Sequence, residues 1–168
     1  SPIYNDNGTI TLGTADAGAR ITLTQVNDIN EQDSAWVRLQ LGTIYHEFAH
    51  IIHQNYGLPA GWIQITPAGY TSAGSWFVLT NEQALARGFV SPYATSSANE
   101  DYAETVAFML ADKNFFDNYI NEQNNCNTEA CFEANAGKEK IKIKYNMILK
   151  HYEQNTGIDL LAVRTLIQ

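Results

Sequence analysis

The chain has 168 residues, 45% of them hydrophobic and only 17% charged, a balance that excludes a disordered polymer. A net charge of −8 argues against a nucleic-acid partner, which needs a basic patch to meet the phosphates. The length suits one core, so the expected organisation is a single domain over residues 1–168, and no apolar run reaches the roughly 18 residues of a membrane span. The chain opens on Ser1 without a signal-peptide pattern, so the expected form is mature or trimmed, with N-terminal residues missing.

Residues 1–8 are rich in Asn, Asp, Gly and Pro and read as loop. Residues 9–12 and 20–26 alternate polar with β-branched or apolar side chains, as half-buried strands do, with a turn at 14–18. Asp33 and Ser34 are the best caps for a helix that starts at Ala35. That helix is apolar nearly all round, which predicts a buried central helix of about five or six turns, stopped by Gly57 and Pro59. Residues 60–98 read as a long connection, with short strands or extended passes at 62–66 and 76–79 and a short helix at 81–87 closed by Gly88. Ser96 or Asn99 caps the next helix, and further helices are expected at 115–120, 138–152 and 159–167. The fold class is α+β, mostly helical, with a small N-terminal sheet. Cys126 and Cys131 are the only cysteines, and two cysteines alone leave a disulfide and two free thiols equally open.

The chemistry concentrates in the first long helix. His46 and His50 are four residues apart, so they share one helical face and can share one metal ion. Glu47 follows the first histidine and flanks that site, the H-E-x-x-H arrangement of zinc-assisted hydrolysis. A catalytic zinc takes three protein ligands and keeps a further position open. His53 lies on the same face, but about 10 Å along the axis from His46, so it suits a place behind the ligands better than one among them. Glu100 and Glu104 share a face of a second helix, and two like charges at that spacing call for a cation nearby. One carboxylate can bind the metal, and the other can accept the free N–H of a ligand histidine. The plainer alternative is a solvated acidic helix start, which explains Glu100 and Asp101 but not Glu104, set between Ala103 and Val106. His151 is assigned no role.

His46-Glu47-Phe48-Ala49-His50, followed by Glu100-Asp101-Tyr102-Ala103-Glu104, resembles the gluzincin zinc metallopeptidases, above all the branch of the lethal-factor-like proteases. The resemblance implies a zincin-like core with a buried H-E-x-x-H helix packed on a Glu-bearing helix. It implies Zn2+ held by His46, His50 and Glu100, with Glu104 orienting a zinc-bound histidine. Tyr93, seven residues before Glu100, would assist at the substrate carbonyl, and Glu47 would act as general base on a peptide substrate. In such folds an edge strand beside the metal helix pairs with extended substrate, a place that residues 20–26 would fill. Residues 46–54 together with 93–106 resemble, more narrowly, zinc-binding metallopeptidase lipoproteins encoded beside outer-membrane nutrient-import systems of gut anaerobes. That narrower likeness implies export to the periplasm or cell surface, a lipid anchor in the full-length form and an import complex as partner. The rival reading is a non-catalytic zinc-containing scaffold of such a complex, against which the intact Glu47 speaks.

Overall fold

The computed structural model describes residues 3–6, 8–71, 75–122 and 124–167. Its longest early element is helix α1, Ser34–Tyr56. The Asp33 carboxylate accepts from the backbone N–H groups of Ala35 and Trp36 and so satisfies donors that a helix start leaves free. Gly57, at φ 76°, stops the helix in a conformation that costs a glycine nothing.

Before α1 come two antiparallel pairs. Strand β1 (Ile3–Tyr4) pairs with β2 (Ile10–Thr11), and β3 (Gly13–Asp16) pairs with β4 (Arg20–Leu23). Residues 3 and 4 are therefore strand, not loop; Ser1, Pro2 and Asn7 of that expected loop lie outside the described residues. The expected turn at 14–18 is displaced as well. Strand β3 runs on to Asp16, because Ala17 and Gly18 both adopt positive φ, as a tight primed hairpin turn demands. Strand β4 is shorter than expected, and Val26–Asp28 form a 3-10 turn.

The helices that follow are α2 (Trp62–Ile65), α3 (Asn81–Arg87), α4 (Ala98–Ala111), α5 (Lys113–Asn121), α6 (Glu129–Thr156) and α7 (Leu160–Leu166). Trp62–Ile65 and the 3-10 turn Trp76–Val78 replace the expected extended passes. The cap of α4 is Ser97, whose hydroxyl accepts from the Glu100 N–H, rather than Ser96 or Asn99. Helix α6 begins well before residue 138: Thr128 caps it, and its polar first turns carry no apolar periodicity to announce them. Cys126 and Cys131 are joined in a disulfide that ties the preceding loop to the start of α6.

The buried centre is α4, not α1. Tyr102, Ala103, Val106 and Met109 are wholly enclosed, with α1 on one side and α6 on the other. On α1 only Gln40, His46, Glu47, Ala49 and Ile52 are buried, while Leu39 is 47% exposed and Leu41, Ile44 and Phe48 are exposed too. The expectation of a buried metal helix is corrected accordingly. Helix α1 is covered by α4 on one flank and by the β3–β4 hairpin on another. The hairpin is pinned to the end of α1 by Gln54, which bonds the Gly18 N–H and the Ala15 carbonyl, and by Asn55, which bonds the Gly18 carbonyl.

A buried ion pair locks the segment that leads to α4. The Lys144 ammonium of α6 donates to Asp101 of α4 at 2.8 Å and to the Gly88 carbonyl at 2.7 Å, and it lies 4.1 Å from the Phe89 ring centre. Tyr70 donates its hydroxyl to the same Asp101. Burial pushes the Asp101 carboxyl up to about 6, against the pull of Lys144. The Gly88–Phe89 end of the segment that leads to α4 is thereby tied to both helices.

Candidate metal centre

His46 and His50 stand one turn apart on α1, their rings edge to face with centroids 4.6 Å apart. Their Nε2 atoms face each other at 3.0 Å. From α4, the Glu100 Oε2 atom comes to 3.1 Å from His46 Nε2 and 3.3 Å from His50 Nε2. Close packing of α1 on α4 makes this approach possible, with Ala49 and Ala103 both fully buried in the shared core. Among the described residues, His46, His50 and Glu100 are the group whose donor atoms converge closely enough to hold a metal ion.

The outer atoms of the two imidazoles are engaged from behind. His46 Nδ1 lies 2.8 Å from Glu104 Oε1, and the other Glu104 oxygen accepts from the Ser91 hydroxyl at 2.5 Å. Ser91 Oγ in turn accepts from the Ala94 N–H, so the 3-10 turn Tyr93–Thr95 braces the carboxylate. His50 Nδ1 lies 2.7 Å from His53 Nε2, and the edge of the His53 ring meets Tyr102. With protons on both Nδ1 atoms, each Nε2 carries a lone pair. Once His46 has given up its Nε2 proton, two lone pairs and a carboxylate oxygen converge, and the buried Glu100 Oε2 has no hydrogen bond of good geometry. A cation resolves that conflict. A tetrahedral site with metal–ligand distances of about 2.0–2.2 Å has ligand–ligand edges of about 3.3–3.6 Å, close to the spacings observed. The donor set fits zinc.

The titration behaviour follows from this crowding. Burial alone would depress the His46 pKa, but the Glu100 and Glu104 carboxylates outweigh it and raise it to about 10. Burial also opposes the charge on Glu100, yet His46 and His50 hold its carboxyl well below the usual carboxylate range. Burial pushes Glu47 up, in part offset by the two histidines. Burial and the neighbouring His50 lower His53, which keeps it neutral. Tyr93 is pushed up by burial and by Glu100 and Glu104, so its phenol keeps its proton as a donor.

Beside the cluster lies an open groove of about 670 Å³ between α1, α4 and β2–β3, bordered by Gly13, Leu39, Glu47, Trp76, Tyr93 and Phe108. The Tyr93 ring sits 6.0 Å from His46, with the Trp76 ring edge-on at 5.1 Å. Both residues of β2, then Leu12, and Gly13 at the start of β3, line the groove, and no residue of β4 is among its lining residues. The sequence motifs bring His46, Glu47, His50, His53, Tyr93, Glu100 and Glu104 to one place. Ser91, Trp76 and Gly13 belong to the same place and carry no motif, since nothing in their local pattern distinguishes them from ordinary loop and strand residues. His151 lies outside the cluster; its Nδ1 meets the Tyr102 hydroxyl at 2.9 Å.

Residues 1–161 match the family of putative zinc-binding metallo-peptidases. The chain belongs to that family. A crystal structure of a putative zinc-binding metallo-peptidase from Bacteroides caccae ATCC 43185 superposes with a TM-score of 0.73 at 30% identity over 96% of this chain. The chain spans 59% of that relative's length. No curated protein matches. Membership of a metallo-peptidase family agrees with the mostly helical α+β fold and with a His-His-Glu group able to bind a metal. No helix among the described residues is long and apolar enough to cross a membrane.

Proposed function

We propose that this chain is a zinc peptidase of the gluzincin type, with a zincin-like core in a single domain, in which His46, His50 and Glu100 hold the ion. The observation that carries the reading is the meeting of two imidazole Nε2 atoms and one carboxylate oxygen beside Glu47, at the edge of an open groove. When bound, zinc supplies a Lewis acid that lowers the pKa of water and polarises a carbonyl. Glu104 and His53 fix the ligand histidines by holding their Nδ1 protons, which keeps both Nε2 atoms free. Glu47 takes the proton of the attacking water and passes it to the leaving amine, a task for which its burial-raised pKa suits it. Tyr93 donates its phenol proton in a hydrogen bond to the carbonyl oxygen as negative charge develops there.

The link to the lethal-factor-like branch, and to exported lipoproteins of an outer-membrane import complex, rests on residues 46–54 and 93–106. A non-catalytic scaffold would have no use for a carboxylate placed like Glu47 on an open groove. The test compares the natural chain with Glu47→Gln on a broad peptide library, with zinc content measured in both. Cleavage by the first and not by the second is expected. A zinc-loaded natural chain that cleaves nothing refutes the peptidase reading.

A further inference from the structure

Glu47 is held in an unusual way. Among the described residues no hydrogen-bond partner anchors its carboxylate, whose neighbours act on it through burial and charge. Its side chain lies instead against strand β3. A Cβ built on Gly13 would stand 2.7 Å from Glu47 Cγ, 2.9 Å from Thr43 Cγ2 and 3.0 Å from Glu47 Oε1. Contacts below about 3 Å are repulsive, since carbon atoms prefer separations of about 3.5–4.0 Å. Gly13 is not one of the glycines with positive φ, so its backbone conformation is open to any residue. What requires glycine at this position is space.

We infer that Gly13 is a positioning residue for Glu47: the missing side chain on β3 is the seat in which the Glu47 side chain rests beside His46. The inference builds on the peptidase reading. Strand β3 cannot simply retreat from an added methyl group. It pairs with β4 from Gly13↔Leu23 to Asp16↔Arg20, and the hairpin is tied to α1 through Gln54 and Asn55. Glu47, held by no bond, is the part that gives way. A general base displaced by a fraction of an ångström keeps the metal site intact, because no ligand touches Gly13 in this way, but it loses its line to the reacting water.

The decisive variant is Gly13→Ala in the full, zinc-loaded chain. Zinc content should be unchanged, KM should change little, and kcat should fall roughly 10- to 100-fold, the scale of a small misplacement of a catalytic group. Glu47→Asp shortens the side chain by one methylene and vacates the contested space. In that background Gly13→Ala should cost several-fold less, and the two changes should be non-additive. Gly13→Ala combined with Thr43→Ala keeps the test available if the single variant folds poorly. An unchanged kcat in Gly13→Ala, or strictly additive effects with Glu47→Asp, overturns the inference. If the natural chain cleaves no peptide, the peptidase reading fails, and the seat is read from Tm instead. Gly13→Ala should then lower Tm in the natural chain and less in Glu47→Ala; equal losses overturn the seat as well.

Discussion

Zinc binding should expel a proton from this protein, and the number of protons can be worked out from the site. Without metal, the charges of Glu100 and Glu104 overcome the burial of His46 and raise its pKa from 6.5 to about 10. The metal needs the His46 Nε2 lone pair, so below about pH 10 that proton must leave as zinc enters. Affinity should therefore tighten about tenfold per pH unit between pH 6.5 and 8.5, or about 1.4 kcal/mol for each unit. Calorimetric titration in buffers of different ionisation enthalpy reads the count directly, and close to one proton released per zinc at pH 7.5 is expected. Glu104→Gln removes one of the charges that raise His46, so the pH dependence should weaken and level off at lower pH. The metal-free fold carries the matching signature. A raised folded-state pKa contributes stability that is fully present below pH 6.5 and is lost as pH rises through about 10, so Tm of the metal-free chain should fall over that interval. Zinc affinity that is independent of pH between 6.5 and 8.5, with no proton released, refutes a His46 whose pKa its two carboxylate neighbours raise.

Three further outcomes are expected. Tyr93→Phe should keep zinc and KM while lowering kcat by about 10²-fold, the usual consequence of losing one oxyanion donor; single-turnover kinetics checks it. Lys144→Ala should destabilise the chain by about 3–5 kcal/mol in denaturant unfolding, because it leaves the enclosed Asp101 carboxylate without its cation. Cys126→Ser opens a disulfide whose ends are 5 residues apart, and loss of that short loop closure should cost about 2 kcal/mol, read from the shift in unfolding midpoint.

The metal motif was legible because its logic is local. Four-residue spacing on a helix dictates a shared face, so His46 with His50, and Glu100 with Glu104, could be paired from periodicity alone. Resemblance then brought Tyr93 into the same set, and the structure does place its ring beside His46. The axial rise of a helix likewise kept His53 out of the converging group, and it is found behind His50. Burial was less legible. Apolar residues around α1 suggested a central helix, yet exposure depends on which faces find a neighbour. The hairpin and α4 cover only part of α1, and the enclosed helix is α4. Short elements such as Trp62–Ile65 escaped because a single turn is set by its surroundings more than by propensity.

The sequence by itself determined the helix that carries His46, Glu47 and His50, the second helix that carries Glu100 and Glu104, and the chemistry those donors can perform. Each of these follows from backbone periodicity and from what a side chain can donate or accept. Only the tertiary structure decided the rest. It brings Glu100 to within 3.3 Å of both imidazoles, sets Ser91 behind Glu104, pairs Lys144 with Asp101 across 43 residues, and lays Gly13 against Glu47. These contacts join residues distant in the chain, and their energies depend on packing and burial that no local pattern encodes.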